Sequence, residues 1–167
     1  MPHRLVRGIL GQRFCGSDML QPAIEILNAH RMMAISTVRP DGWPQTTMVG
    51  YANQGWAVYF LIFRPSQKFT NISRDNRVSL AVSGEPSFLG EIKAVYAGAH
   101  AVEVTDPAER TLAWRLLAER HPNLDDFGLP DNSETALMRA TCKYVSVLDY
   151  SRGIGHTEAL VVDADEA

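Results

Sequence analysis

One stretch, residues 58–82, limits the possible folds more than any other. It opens with Val58-Tyr-Phe-Leu-Ile-Phe63, an unbroken apolar run rich in aromatic and β-branched residues. Such a run reads as a strand buried on both faces. Arg64-Pro65 ends it, because proline cannot donate to a ladder. Ser66 then stands where a helix N-cap belongs, and Lys68 falls in the first helical turn. A further apolar strand follows from Arg77. Free backbone N–H groups, a hydroxyl and an ammonium therefore converge on one point, with Gln67 between them. That is the chemistry of a phosphate seat. A lysine in a first turn opposes the helix dipole, and a bound anion would resolve the conflict. The same residues also fit a plain capped surface helix with a solvated lysine, and locally that reading is the simpler one.

Composition narrows the classes. The chain has 167 residues, 46% hydrophobic and 21% charged, the profile of one ordinary globular domain with a real core. A net charge of -3 offers no basic field for nucleic acid or an anionic membrane surface. Cys15 and Cys142 show neither metal-ligand spacing nor a disulfide framework, which fits a reducing cytoplasm. The N-terminal apolar run is too short for a signal peptide, and no segment has the length of a membrane span. The acidic C-terminal residues, 157–167, read as a frayed tail.

In chain order, residues 1–17 read as an irregular arm and Gln21-Pro22 opens a helix to about His30. Residues 32–38 and 44–51 form a hairpin around the turn Arg39-Pro-Asp-Gly-Trp43. Residues 56–63 make a third strand, the short helix follows Ser66, and 77–83 make a fourth. A long fifth strand covers 92–105, with Gly98 marking a bend or bulge. Asp106-Pro-Ala-Glu109 starts a helix that runs to about Arg120. Residues 127–130 read as a loop, 133–138 as one helical turn, and 140–150 as the last strand. Six strands with local connections predict a mainly β fold: a six-stranded antiparallel barrel with flanking helices. A barrel this small fills its own interior, so a ligand binds outside it or at an interface.

The order of these motifs resembles the pyridoxamine 5′-phosphate oxidase-like family of FMN-binding split barrels. The resemblance is carried by Ile35-Ser-Thr-Val-Arg-Pro-Asp-Gly-Trp-Pro44, by Val58-Tyr-Phe-Leu61, by Ser66-Gln-Lys68 with Asn71-Ile72, and by Asn76-Arg-Val-Ser-Leu80. The ending Val145-Ser-Val-Leu-Asp-Tyr-Ser-Arg-Gly-Ile-Gly-His156 is similar to that of an oxidase-related subgroup. The resemblance spans roughly residues 20–156. It implies a homodimer with FMN in a groove between protomers, and a phosphate held by Ser66 and Lys68. It implies a ring lying along Gln45, Thr46, Thr47, Val49, Tyr59, Phe60 and Leu61, with Arg64 a further candidate at the phosphate. Authentic pyridoxamine phosphate oxidases carry an arginine and a lysine on the second strand. Here that strand reads Gln45-Thr-Thr-Met-Val-Gly-Tyr51, and the basic C-terminal signature is replaced by Thr157-Glu-Ala-Leu. Both departures argue against pyridoxine 5′-phosphate as substrate.

Arg152-Gly-Ile-Gly-His156 places a cation and an imidazole around two glycines; Arg152 and His156 are candidates to face the ring, or lie in an exposed turn. His100 reads as a core or interface residue. Trp43 and Trp56 read as packing at the barrel ends. Asp125-Asp126 reads as solvated surface, and the histidines are too scattered for a metal site. The expected function is a flavin-dependent oxidoreductase with FMN as cofactor and no residue marked as general acid or base. The alternatives are deazaflavin or haem on the same barrel, or a non-catalytic flavin-binding module.

Overall fold

Alternating burial sets the strands. In β1 (Met32–Val38), Met33, Ile35 and Thr37 are buried while Met32 and Val38 are exposed. β2 (Pro44–Gln54) pairs with it, and a hairpin leads into β3 (Ala57–Phe63). α2 (Gln67–Arg74) connects β3 to β4 (Arg77–Ser83). β5 (Lys93–Glu103), α3 (Pro107–Arg120) and β6 (Thr135–Asp149) follow. The structure, a computed structural model, describes residues 16–127 and 133–162.

The sheet runs in the order β3-β2-β1-β4-β5-β6, and β6 pairs back onto β3. Every pairing is antiparallel, so six strands close into the expected barrel. Its interior holds Met33, Ile35, Tyr51, Val58, Phe60, Val82, Val95 and Val145, all fully buried. Each such side chain contributes about 1.5–3 kcal/mol of transfer free energy, and together they fill the space a ligand would need. β5 and β6 slip register between Gly98 and Ala99, the irregularity expected at Gly98. A Cβ on Gly98 would come within 3.4 Å of the Tyr144 ring across the ladder.

α1 (Gly16–Ala29) buries Ala23, Ile26 and Leu27 against the barrel core, and the Tyr51 hydroxyl donates to Leu27 O at 2.8 Å. α3 packs on the outside over a second cluster of Ala52, Tyr59, Val104, Ala113, Leu117 and Leu137. Its start is as the sequence predicts: Asp106 caps it by accepting from Glu109 N at 2.8 Å.

Three expectations need correction. α1 already begins at Gly16 and contains Pro22, because one missing N–H does not outweigh burial of the helix face. Residues 135–138 are strand, not a helical turn. Thr135–Thr141 pairs residue by residue with β3, and that ladder overrides the helix propensity of Ala-Leu-Met. Thr157–Val161 is not frayed: it forms β7, paired antiparallel with β6, and Val162 behind it is buried. The predicted arm at 1–15, the loop at 128–130 and the tail at 163–167 lie outside the described residues.

Opposite α3 the outer sheet face stays open among the described residues. One row across it is Met48, Ala34, Ala81 and Tyr96; the next is Thr46, Ser36, Ser79, Gly98, Tyr144 and Val161. Met48 is 61% exposed, Tyr144 56% and Tyr96 45%. No helix among the described residues is long and apolar enough to cross a membrane.

Candidate functional site

The β3–α2 junction is built as its sequence suggests. Ser66 is the N-cap of α2, extended in its backbone, and its Oγ accepts from Phe69 N at 3.3 Å. The N–H groups of Gln67 and Lys68, one turn ahead of any intrahelical acceptor, remain for an outside partner. The Lys68 side chain is half-buried, and its Nζ donates to Thr47 Oγ1 on β2 at 2.9 Å. Burial pulls the Lys68 ammonium below the ordinary lysine range. No carboxylate among the described residues pairs with it.

Below Lys68 lies a connected polar layer. Asn71 is fully buried, and its Nδ2 donates to Thr37 Oγ1 and Gln45 Oε1, each at 2.9 Å. Its Oδ1 accepts from Gln67 Nε2 at 2.9 Å, one helical turn back. Gln45, Thr47 and Val49 share the inward-directed side of β2, opposite Thr37, Ile35 and Met33 of β1. Thr46 faces the other way and shares a 2.8 Å hydroxyl contact with Ser36. Ser66, Gln67, Lys68, Gln45 and Thr47 are thus brought to one end of the barrel. Asn71 and Thr37 join them there. Neither stood among the expected site residues; the available signal was an asparagine on the helix face that carries Ile72.

The remaining candidates are dispersed. Arg64 forks onto the Glu103 carboxylate, Nη1 to Oε2 at 3.1 Å with Nη2 on Oε1, and stacks 5.3 Å from the Phe69 ring centroid. That carboxylate already neutralises it. Phe60 is sealed in the barrel core, while Tyr59 and Leu61 face α3. The Tyr59 hydroxyl donates to Glu109 Oε1 at 3.1 Å, and Arg139 reaches the same oxygen at 2.8 Å. Arg152 and His156 converge on Glu158, at 2.5 and 3.0 Å from its Oε1, in the turn between β6 and β7. Positive-φ Gly153 and Gly155 make that turn possible. His100 is exposed and contacts Asn76 Oδ1 through Nδ1 at 3.0 Å. Trp56 is buried, whereas Trp43 projects from the β1–β2 hairpin. Asp126 is exposed, and the Asp125 side chain lies outside the described residues. No group of three or more His, Cys, Asp or Glu among the described residues could hold a metal ion.

The sequence profile of the pyridoxamine 5′-phosphate oxidase family matches residues 20–149, from within α1 to the end of β6. The chain belongs to this family. Solved structures agree in fold. A heme binding protein from Mycobacterium smegmatis is 16% identical with a TM-score of 0.72, over 84% of this chain and 57% of that one. A FAD-binding protein from Mesorhizobium loti is 19% identical with a TM-score of 0.62, over 80% and 94%. HutZ, the heme storage protein from Vibrio cholerae, is 20% identical with a TM-score of 0.63, over 74% and 90%. The chain therefore spans little more than half the length of the M. smegmatis protein. No curated protein sequence matches it. Within this family fold, the β3–α2 junction joins helix N–H groups, a half-buried ammonium and two threonines. That set can hold an oxyanion; it contains no general acid or base beyond Lys68.

Proposed function

We propose that the chain is a homodimeric FMN-binding protein that works as a flavin-dependent oxidoreductase. The observation that carries the reading is Lys68: a half-buried ammonium beside open first-turn N–H groups, without a carboxylate partner among the described residues. Burying an unpaired charge is costly, and a phosphate monoester supplies the missing counter-charge. Family membership and a FAD-binding neighbour favour a flavin as the molecule that carries it. When bound, the flavin supplies the redox chemistry. Lys68 and the α2 amides hold its phosphate, Asn71 fixes Gln45 and Thr37 around the seat, and Thr47 lies beside it on β2. The second strand, Gln45–Tyr51, carries neither the arginine nor the lysine of authentic pyridoxamine phosphate oxidases, which argues against pyridoxine 5′-phosphate as substrate.

The open outer face supports the homodimer. Met48, Ala34, Ala81 and Tyr96 form a largely apolar strip that a second copy would cover. The test of the function is the visible spectrum of the purified protein, followed by turnover with reduced nicotinamide. A flavin spectrum and flavin-dependent oxidation of the nicotinamide support the reading. A colourless protein that ignores FMN overturns it.

His156 favours haem as a second reading. Its Nε2 is held by Glu158, the kind of carboxylate support that ligating histidines receive, and Nδ1 has no partner among the described residues. Two neighbours are described as heme proteins. Haem addition to the wild-type protein and to His156→Ala decides it: a Soret shift lost in the variant supports this reading, and an unchanged response in both removes it.

A further inference from the structure

An open depression of about 380 Å³ lies at the other end of the β1–β2 pair, lined chiefly by His30, Arg31, Met32, Ser83 and Arg120. Met32 pairs with Gly50, three residues along β2 from Thr47, or about 10 Å from the phosphate seat along the strand. The depression therefore lies away from the phosphate seat itself.

Two arginines without a carboxylate partner among the described residues meet at this depression. Arg39, Arg64, Arg77, Arg115, Arg139 and Arg152 each pair with a carboxylate. Arg74 and Arg110 reach only the Pro40 and Val104 carbonyls, and Arg31 and Arg120 likewise pair with no carboxylate among the described residues; of these four, Arg31 and Arg120 line the same depression. No acidic side chain lines it, in a chain whose net charge is -3. Arg120 is also held in place. Its Nη1 donates to Leu27 O at 3.1 Å, His30 O at 3.3 Å and Asn53 Oδ1 at 2.8 Å, and the guanidinium stacks 5.4 Å from the Tyr51 ring centroid. All its bonds to described residues run through Nη1, which leaves Nη2 and Nε for a ligand. The His30 ring packs on Gly84, so closely that a Cβ there would meet Cε1 at 2.9 Å. Met32 and Ala29 supply an apolar wall beside the two cations.

We infer that this depression is a binding site for a small organic oxyanion, a carboxylate on an apolar body or the equivalent phosphate ester. A guanidinium with two free donors on one edge fits an oxyanion in bidentate fashion, and Arg120 has lost its rotational freedom before the ligand arrives. Arg31, exposed and unpaired among the described residues, closes on the same anion from solvent. The volume suits a small molecule rather than a macromolecule.

The experiment is an amide NMR titration of the full chain with sodium benzoate, with sodium phosphate in a parallel arm. The expected result is saturable shifts at Ala29, Arg31 and Gly84 that persist in Lys68→Ala. Arg31→Ala, a change at an exposed side chain, weakens them by about tenfold, the loss of one charge-assisted contact. Tighter binding of phosphate than of benzoate assigns a phosphate ester, and the reverse a carboxylate. Shifts confined to the β3–α2 junction and lost in Lys68→Ala overturn the inference, as do shifts near Arg31 that Arg31→Ala leaves unchanged. The Lys68→Ala arm separates this site from the phosphate seat, so the two readings fail separately.

Discussion

At the scale of residues, the site rests on two polar side chains whose burial needs partners. Asn71 satisfies Thr37 and Gln45 at once, so Asn71→Leu strands both oxygens. We expect a loss of about 2–3 kcal/mol in denaturant unfolding, with a weakened FMN site. A loss within a few tenths of a kcal/mol would mean water replaces the amide freely. Lys68 makes a pH prediction. Burial depresses its pKa in the ligand-free protein, and a bound phosphate favours the charged form. FMN affinity therefore declines on the alkaline side before an ordinary lysine would titrate, which titrations between about pH 7 and 10 would follow. A flat profile would place the phosphate elsewhere. The Ser66 cap and the first-turn position of Lys68 were legible in the sequence because capping is local. The Asn71 partners were not, since they sit 34 and 26 residues away and only the fold brings them near.

At the scale of elements, boundaries with a chemical stop were legible and those decided by pairing were not. α2 and α3 begin at their caps, Ser66 and Asp106, and β4 spans its predicted residues. β6 extends back to Thr135, and β7 exists, only because a neighbouring strand offers a ladder. α3 stands on a small cluster apart from the barrel interior, with Leu117 almost fully buried. Leu117→Ala should cost about 2–4 kcal/mol by denaturant unfolding, and loosen α3 before the barrel in hydrogen exchange. Uniform loss of protection across both would make the two clusters one cooperative unit. Asp75 ties the end of α2 to the start of β4. Its carboxylate accepts from Arg77 Nε and N, which holds its pKa down at about 2. The folded value lies below the unfolded one, so this contribution is present above about pH 4 and fades as pH falls through 2. Asp75→Asn should lower Tm at neutral pH and make no difference at the acid end of that window.

At the scale of the molecule, the closed barrel explains why function sits on its surface. Its interior is filled with side chains, so the proposed cofactor, partner copy and small anion would meet the outside. The barrel was legible because six predicted strands joined by local connections have few ways to close. The open sheet face was not, because Ala34, Ala81 and Tyr96 come from three strands and form a row only through register. Ala81→Arg places a charge in the middle of that row. We expect a folded monomer in sedimentation that no longer binds FMN. A monomer that keeps full affinity would show that one protomer suffices for the site.

In the proposed function, Lys68 and the first turn of α2 hold the phosphate of FMN. The most direct test is a pair of fluorescence titrations, FMN and riboflavin, on the wild-type protein and on Lys68→Ala. These two ligands differ only by the phosphate. Wild-type protein is expected to prefer FMN, and Lys68→Ala to lose about tenfold or more in FMN affinity while riboflavin binding barely changes. Equal losses for both ligands, or no preference for FMN in the wild type, would contradict this reading.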